Sequence, residues 1–389
     1  MKRRFAAIAA AALSLSLFAA CGGDSGTASS DAEVVKVGVN YELSGPVATY
    51  GDANVKGIEM AFEEINAAGG VDGKQVEIVK YDNKSEPAEA TTLATKLMTQ
   101  DDVVAIIGPA TSGSFKATIP VANQNRIPVI SGSATAEDVT VSNGQLQEYA
   151  FRTCFSDSFQ GTAMANFATK NRDAQTAVIL KDTSSDYAKG LADNFRATFE
   201  EAGGTIVGDE GYVAGETNFN SVLTRIRGLE FDVMYVPGYY EEVGLIIKQA
   251  RDLGITQPVL GGDGFDSPVL LEKAGAEALN DVYYTNHYSS LDSDPQVQDF
   301  IAAFNEKYGE DPNAFNALGY DTAYFVADAI GRASELTGEA VAQAMEQTQN
   351  FSGVTGTFSI DPETHEPIKQ ALVIELQDGV PVSAEPAAL

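Results

Sequence analysis

The chain has few of the side chains that most often carry out catalysis or bind transition metals. Its 389 residues include two histidines, two cysteines and no tryptophan. The cysteines and histidines stand far apart, at positions 21, 154, 287 and 365, which argues against a zinc-type cluster. The chain has no Gly-x-Ser-x-Gly elbow, no Gly-x-Gly-x-x-Gly loop after its first strand-like run and no Gly-x-x-x-x-Gly-Lys loop. The sequence therefore predicts no catalytic residue, metal or cofactor, and a two-carboxylate hydrolase is a remote alternative.

Basic residues are scarce as well. The chain carries 25 Lys and Arg residues against 55 Asp and Glu residues, a formal net charge of −30. Proteins that bind the phosphate backbone need the opposite field, so we expect no nucleic-acid partner. The acids are dispersed along helix-like segments, which indicates a solvated surface. A zwitterionic ligand, with no net charge, is compatible with this balance.

Residues 1–20 have the features of a secretory signal peptide. Three basic residues precede an apolar segment, and two alanines then lead into Cys21. This start resembles a bacterial lipoprotein leader, in which Cys21 becomes the lipid-modified first residue; plain cleavage beside an incidental Cys21 is the alternative. Residues 21–33 read as a flexible polar tether rich in Gly and Ser. We expect a chain outside the cytoplasm, held at the cell membrane by a lipid anchor alone.

The remaining sequence alternates strand-like and helix-like segments. Residues 34–40 form an apolar strand-like run, and Ile58, Ala61, Phe62 and Ile65 recur at helical spacing. Further strands are predicted at 75–81, 103–107, 128–130, 176–180, 205–207, 233–236, 259–260, 282–284, 358–360 and 371–376, and further helices at 90–97, 159–171, 187–202, 243–253, 295–308, 315–333 and 338–349. This rhythm is typical of doubly wound parallel sheets in an α/β fold.

The length of this segment predicts two lobes. About 355 residues exceed what one compact core usually holds. No Pro-, Gly- or Ser-rich spacer divides the halves, so we expect the chain to cross several times at one hinge. Cys154 lies in a β-like run and is predicted to be a small buried apolar group. His365 lies in a polar turn and is predicted to be exposed.

Two short loops follow apolar strand-like runs and are rich in hydroxyls and small residues. They span residues 108–114 and 131–136, and neither contains a lysine or arginine. The first precedes a predicted helix, and the second is a candidate to do the same. Unpaired N–H groups at a helix start favour an anion, and a small carboxylate needs no fixed cation. Ordinary connections with helix caps are the alternative for either loop alone.

Other residues at strand ends predict a binding cleft. Asp263 stands among glycines after the strand at 259–260, where it could counter an ammonium group or form a simple turn. Tyr50, Tyr187 and Tyr239 follow three other strands. Ligands of doubly wound folds sit beyond the carboxyl ends of parallel strands, so these residues indicate an aromatic-lined site.

The motifs resemble the periplasmic-binding-protein type I family, in particular its leucine/isoleucine/valine-binding members. The resemblance runs from about Val35 to Val380 and rests on several segments: Leu43-Ser-Gly-Pro-Val-Ala-Thr-Tyr-Gly51, Gly57-Ile-Glu-Met-Ala61, Glu64-Ile-Asn-Ala-Ala-Gly-Gly70, Val79-Lys-Tyr-Asp82, Ile107-Gly108, Ala134-Thr135, Gly238-Tyr239, Lys248-Gln-Ala-Arg251 and Asp311-Pro312 with Phe315. It implies a first lobe of residues 34–156 and 287–361 and a second of 157–286 and 362–389.

The resemblance also implies roles for individual residues. The ligand carboxylate would be held by Ser112, Ser133, Ala134 and Thr135. Asp263 would take the ammonium, with Thr135 and Ser133 assisting through a hydroxyl or carbonyl oxygen, although the leucine-binding members have glutamate in place of Asp263. The side-chain pocket would be formed by Tyr50, Ala110, Tyr239 and Phe315, and Tyr187 would close over the ligand from the second lobe. Ala110 stands where the family has a leucine-like residue.

The function implied is that of a monomeric, non-enzymatic solute-binding protein of an ABC importer. It would close around a neutral, branched-chain or aliphatic amino acid and deliver it to the transmembrane permease. A site for amides, urea or small carboxylates on the same scaffold is the alternative, and an extracellular sensor domain is a third interpretation.

Overall fold

The structure is a computed structural model that describes residues 34–388. The predicted leader, Cys21 and the tether therefore lie outside the described residues. The described helices are α1 (Ala48–Ala67), α2 (Pro87–Thr99), α3 (Ser112–Asn125), α4 (Asp157–Lys170), α5 (Asp186–Glu201), α6 (Asn220–Arg227), α7 (Tyr240–Asp252), α8 (Pro268–Ala274), α9 (Pro295–Tyr308), α10 (Ala314–Arg332) and α11 (Gly338–Glu346).

The described strands are β1 (Val35–Tyr41), β2 (Val76–Asp82), β3 (Ala105–Ile107), β4 (Val129–Ser131), β5 (Val141–Ser142), β6 (Gln145–Leu146), β7 (Ala150–Arg152), β8 (Thr176–Asp182), β9 (Thr205–Tyr212), β10 (Val233–Tyr235), β11 (Val259–Gly261), β12 (Val282–Asn286), β13 (Phe351–Gly353), β14 (Gly356–Phe358), β15 (Leu372–Gln377) and β16 (Val380–Pro386). The predicted α/β rhythm is thus present, and α9 has the predicted bounds.

The first sheet is parallel throughout, in the order β2-β1-β3-β4-β7. Every residue of β3, β4 and β7 is buried, as expected for strands with helices on both faces. Because all five strands run the same way, the loops after β1, β3 and β4 meet at one edge of the sheet.

The second sheet has the order β16-β15-β12-β11-β10-β8-β9 and is mixed. Strands β12, β11, β10, β8 and β9 are parallel, whereas β15 and β16 pair antiparallel at one edge. The second sheet therefore has the predicted parallel strands and, in addition, an antiparallel edge that the sequence did not predict. The chain returns here from α11 and the β13–β14 hairpin, and a two-residue turn at Asp378-Gly379 then folds β16 back onto β15. The α/β class itself is confirmed.

The chain passes between the two sheets three times, as expected for a multi-crossover hinge. It leaves the first sheet after β7, returns after β12 to helices that pack on α1, and re-enters the second sheet at β15. Both later crossings contact the first: Lys369 Nζ lies 3.2 Å from the Thr153 carbonyl oxygen, Arg152 pairs with Glu366, and His287 stacks on Phe155. These contacts hold the crossings as one unit.

The prediction of an exposed His365 is wrong, because its side chain is fully buried. Its ring stacks on Phe151 at a centroid distance of 4.0 Å, and its Nδ1 lies 3.0 Å from the Ala150 carbonyl oxygen. Burial lowers the pKa of His365. Cys154 is buried as predicted, and its burial raises the pKa of the thiol to about 12. Such a thiol is inert.

Between residues 34 and 388, no helix combines the length and the apolar character required to cross a bilayer.

Candidate functional site

The first hydroxyl loop connects β3 to α3, as the sequence predicts. Gly108 adopts φ of +95°, and a Cβ there would lie 2.4 Å from the Asn40 carbonyl oxygen, so only glycine fits this turn. Glu42 anchors the loop. Its carboxylate accepts hydrogen bonds from the Ala110 N–H (2.9 Å), the Thr111 N–H (3.1 Å) and the Thr111 hydroxyl (2.8 Å). Burial raises the pKa of Glu42. The Thr111 side chain therefore anchors the loop instead of capping α3.

The second hydroxyl loop follows β4 but starts no long helix. Only a 3₁₀ turn, Glu137–Val139, comes after it. A helix dipole can therefore favour an anion at the first loop, where the 14-residue α3 begins, but not at the second.

Side-chain hydrogen bonds join the two loops. Ser131 Oγ donates to the Pro109 carbonyl oxygen (2.7 Å), and Ser133 Oγ donates to the Ala110 carbonyl oxygen (3.0 Å). Ser112 Oγ accepts from the Ala136 N–H at 3.1 Å, which leaves its own proton available to a carboxylate. Ser133 Oγ has already used its proton, so it can accept from an ammonium but cannot donate to a carboxylate.

Asp263 lies beyond the carboxyl end of β11 in a 3₁₀ turn, and it is 3% exposed. Its Oδ1 accepts from the Tyr187 hydroxyl at 2.8 Å, and its Oδ2 lies 3.2 Å from Nε2 of His287. The neighbouring Gly264 N–H donates to the Tyr187 oxygen at 2.9 Å. A Cβ on Gly264 would lie 2.8 Å from the Gly238 carbonyl oxygen, so glycine permits this close approach.

His287 makes Asp263 part of the hinge. It follows β12 at the second crossing and stacks on Phe155, in the first crossing, at a centroid distance of 3.5 Å. Burial lowers the pKa of His287 to about 4, so the ring is neutral near pH 7. A neutral ring with its proton on Nε2 donates to Asp263 without cancelling the carboxylate charge.

Four predicted aromatic residues form one contiguous wall. The ring of Tyr50 lies 4.3 Å from that of Phe315 and meets Tyr239 edge-on at 5.6 Å. Tyr187 stacks on Tyr239 at 5.1 Å. The Tyr50 hydroxyl donates to the Gly264 carbonyl oxygen at 2.5 Å, so the polar tip of this ring is satisfied. Such a wall of rings suits an apolar side chain.

A small cavity lies where these elements meet. Eight of the ten predicted site residues line it: Tyr50, Ala110, Ser112, Ser133, Tyr187, Tyr239, Asp263 and Phe315. Ala134 and Thr135 are fully buried directly after Ser133, but they do not line the cavity. The structure thus brings the hydroxyls, the acid and the aromatic rings around one small space.

Sequence reasoning missed four residues of this region. Thr111 and Gly264 line the cavity, Glu42 holds the first loop, and His287 holds Asp263. Glu42 directly follows β1 and His287 directly follows β12, so the strand-end rule that singled out Asp263 could have found both.

The elements of the two sheets contact each other directly across the cleft. Lys116 of α3 lies 2.8 Å from Asp186 at the start of α5. The Tyr240 hydroxyl donates to the Pro46 carbonyl oxygen at 3.1 Å, and the Thr49 and Ser267 hydroxyls are 3.2 Å apart. The structure therefore shows a closed cleft.

Comparison with known proteins supplies relatives over almost the whole described chain. The family model for periplasmic binding proteins matches residues 34–380. A leucine-, isoleucine-, valine-, threonine- and alanine-binding protein of Pseudomonas aeruginosa is 30% identical over 330 residues, 85% of this chain and 86% of that protein.

Two solved structures share both fold and sequence. The branched-chain amino acid transporter substrate-binding protein LivJ of Streptococcus pneumoniae, in complex with isoleucine, is 41% identical, with a TM-score of 0.86 over 91% of this chain and 99% of LivJ. The leucine-binding protein LivK of Thermotoga maritima is 36% identical, with a TM-score of 0.84 over 91% of this chain and 98% of LivK. The chain belongs to the periplasmic binding protein family, within which its relatives are substrate-binding proteins for branched-chain amino acids.

Proposed function

We propose that the chain is the extracytoplasmic solute-binding protein of an ABC importer and that its ligand is a neutral branched-chain amino acid. The observation that carries this proposal is the meeting of three chemistries around one cavity: hydroxyl loops, one buried acid and an aromatic wall. A zwitterion with an apolar side chain needs all three. The names of the similar proteins support the same ligand class.

The ligand would lie with its carboxylate at the first loop. Ser112 can donate its hydroxyl proton there, and the start of α3 adds a favourable dipole. Thr135 and the backbone at Ala134 complete the carboxylate side of the proposal. The ammonium would contact Asp263 and the accepting hydroxyl oxygen of Ser133.

The aromatic wall would cover the ligand side chain. In the proposal Tyr50, Tyr239 and Phe315 contact it together with Ala110, and Tyr187 closes over it. We further propose that residues 34–156 and 287–361 form the first lobe and 157–286 and 362–389 the second. The membership of the two sheets supports this division.

Delivery would require recognition of the closed form by a permease. Closure would bring α3 and α5 together through Lys116 and Asp186. We propose that the protein acts as a monomer anchored by a lipid on Cys21, outside the cytoplasm, with no further contact with the membrane.

A thermal-shift panel tests the ligand class. Isoleucine, leucine and valine should raise the melting temperature, because a ligand that binds only the folded state stabilises it by RT ln(1 + [L]/Kd). Amides, urea and amine-free acids such as 3-methylpentanoate and benzoate should raise it far less. Greater stabilisation by any of these than by isoleucine would refute the proposed ligand and favour the alternative class. Ligand turnover would refute the binding function.

A further inference from the structure

A second buried acid lies beside Asp263 and is left unpaired by the protein. Asp157 is fully buried, and neither of its carboxylate oxygens has a hydrogen-bond partner among residues 34–388. Four other buried polar atoms near it are unpaired in the same way: Thr135 Oγ1, Gln160 Nε2, Arg152 Nε and the Tyr235 hydroxyl. Buried polar atoms are nearly always hydrogen-bonded, so such a concentration indicates a place where another molecule supplies the bonds.

The first turn of α4 places Asp157 between the second hydroxyl loop and Asp263. The Asp157 N–H donates to the Thr135 carbonyl oxygen at 2.8 Å, which ties it to the second hydroxyl loop. Gln160, one turn further along α4, accepts from the Asp263 N–H at 3.1 Å. The same helical turn therefore contacts both the hydroxyl loop and the acid.

Helix α5 contacts both Asp157 and Asp263. A Cβ on Gly190 would lie 2.8 Å from Asp157 Oδ2, so this side chain packs against the α5 backbone. Tyr187, three residues earlier on the same helix, donates to Asp263. Because residues i and i+3 share one helix face, Asp157 and Asp263 lie along the same face of α5.

The hydrogen bonds of Arg152, the cation that acts on Asp157, go to other groups, and its Nε has no partner among the described residues. Arg152 donates through Nη1 to the Thr135 and Ala136 carbonyl oxygens, at 2.9 Å each, and through Nη2 to Glu366. Burial raises the pKa of Asp157, and the acids Asp263 and Glu137 raise it further, whereas the Thr135 hydroxyl and the charge of Arg152 lower it.

Tyr187 and Tyr235, whose pKa values are also raised by burial, face Asp157 as neutral hydroxyls. Among the described residues, Arg152 is therefore the cation that acts on Asp157, although its hydrogen bonds go to other oxygens.

We propose that Asp157 is a second acidic contact for the ligand: its carboxylate accepts one N–H of the bound ammonium beside the Thr135 hydroxyl, while Asp263 accepts another. This rests on the proposed function, because it assigns the ammonium end of the same ligand. The site would then select primary ammonium compounds over amine-free acids by two carboxylates instead of one. A proton held by Asp157 before binding would be released to the solvent when the ammonium enters.

Asp157→Asn tests the proposal by calorimetry with two ligands, isoleucine and its amine-free analogue 3-methylpentanoate. We expect the variant to bind isoleucine roughly 10- to 100-fold more weakly, the range for loss of a hydrogen bond to a charged group. Its affinity for 3-methylpentanoate should not fall. Asp193→Asn, which removes an exposed acid from α5, is the matched control and should leave both affinities unchanged.

Proton release gives a readout that a merely structural role would not change. Titrations in buffers of different ionisation enthalpy should show release of up to one proton per isoleucine by the wild type and none by Asp157→Asn. If Asp157→Asn does not fold, Gly190→Ala provides a second test, since the added Cβ displaces Asp157 without changing its charge. It should also weaken isoleucine binding selectively.

Equal weakening of both ligands, or unchanged isoleucine affinity, would overturn the proposal. Failure of the wild type to bind isoleucine would refute the proposed function instead, so the two failures are distinguishable.

Discussion

Replacing Asp263 by asparagine removes one negative charge from the proposed ammonium site and keeps the shape of the side chain. The amide oxygen can still accept from the Tyr187 hydroxyl. The amide N–H can donate to His287 Nε2 if the imidazole proton moves to Nδ1, which has no partner among the described residues. The variant therefore tests charge and leaves the neighbouring hydrogen bonds in place.

The expected loss follows from the burial of Asp263. With the carboxylate 3% exposed, a bound ammonium about 4 Å away would be attracted by about 4 kcal/mol at an effective dielectric constant near 20. Since about 1.4 kcal/mol corresponds to a factor of ten, isoleucine should bind roughly a thousandfold more weakly.

Isothermal titration calorimetry of wild type and Asp263→Asn with isoleucine and 3-methylpentanoate measures this loss. The amine-free ligand should bind the variant at least as well as it binds the wild type, because no ammonium is lost and a buried negative charge is removed. Isoleucine affinity within threefold of the wild type would refute the assignment of Asp263 to the ammonium.

Three further predictions concern the rest of the site and the hinge. Ser112→Ala combined with Thr135→Ala should abolish detectable isoleucine binding in the same titration, and melting temperatures check that the fold persists. His287→Gln should make the free energy of unfolding depend less on pH. His287 has a pKa of about 4 in the folded chain and about 6.5 in the unfolded chain, so at pH 4.5 the ring takes up a proton when the wild type unfolds. This uptake lowers the unfolding free energy of the wild type by about 2.5 kcal/mol at pH 4.5. Urea unfolding at pH 7 and pH 4.5 measures this, and an equal pH dependence in both proteins would contradict it. Lys116→Met removes the pair with Asp186 and should weaken isoleucine binding by about 0.5–1 kcal/mol, with a larger radius in X-ray scattering; unchanged affinity and radius would exclude a role in closure.

Local patterns were enough to predict the parallel core and the helices other than the short α6 and α8. The spacing of Ile58, Ala61, Phe62 and Ile65 predicts a helix there, and α1 buries all four side chains. The antiparallel edge could not be predicted in the same way. A strand pattern such as that of residues 371–376 indicates which side chains are buried. It does not indicate whether the neighbouring strand runs parallel or antiparallel.

Long-range partners explain what the sequence failed to predict. His365 lies in a polar turn, yet its ring stacks on Phe151, 214 residues earlier in the chain. Glu42 looked like any surface acid because the groups that hold it are 68 and 69 residues away. Asp263, by contrast, stood out because glycines surround it at a strand end.

Most of the residues around the cavity could be predicted from the sequence. Strand ends and the family resemblance predicted ten ligand-binding residues, and the fold places eight of them around one space. Whether a hydroxyl donates or accepts could not be predicted, because the direction of the Ser133 bond depends on the Ala110 carbonyl oxygen of the other loop.

The most direct test of the proposed function is the binding of isoleucine to the purified mature chain by isothermal titration calorimetry at pH 7. The proposal predicts saturable binding of one ligand per chain, with 3-methylpentanoate and isoleucinamide each far weaker, since each lacks one of the two charged groups. No saturable binding of isoleucine, leucine or valine, or equally tight binding of 3-methylpentanoate, would contradict the assignment of the cleft to a branched-chain amino acid.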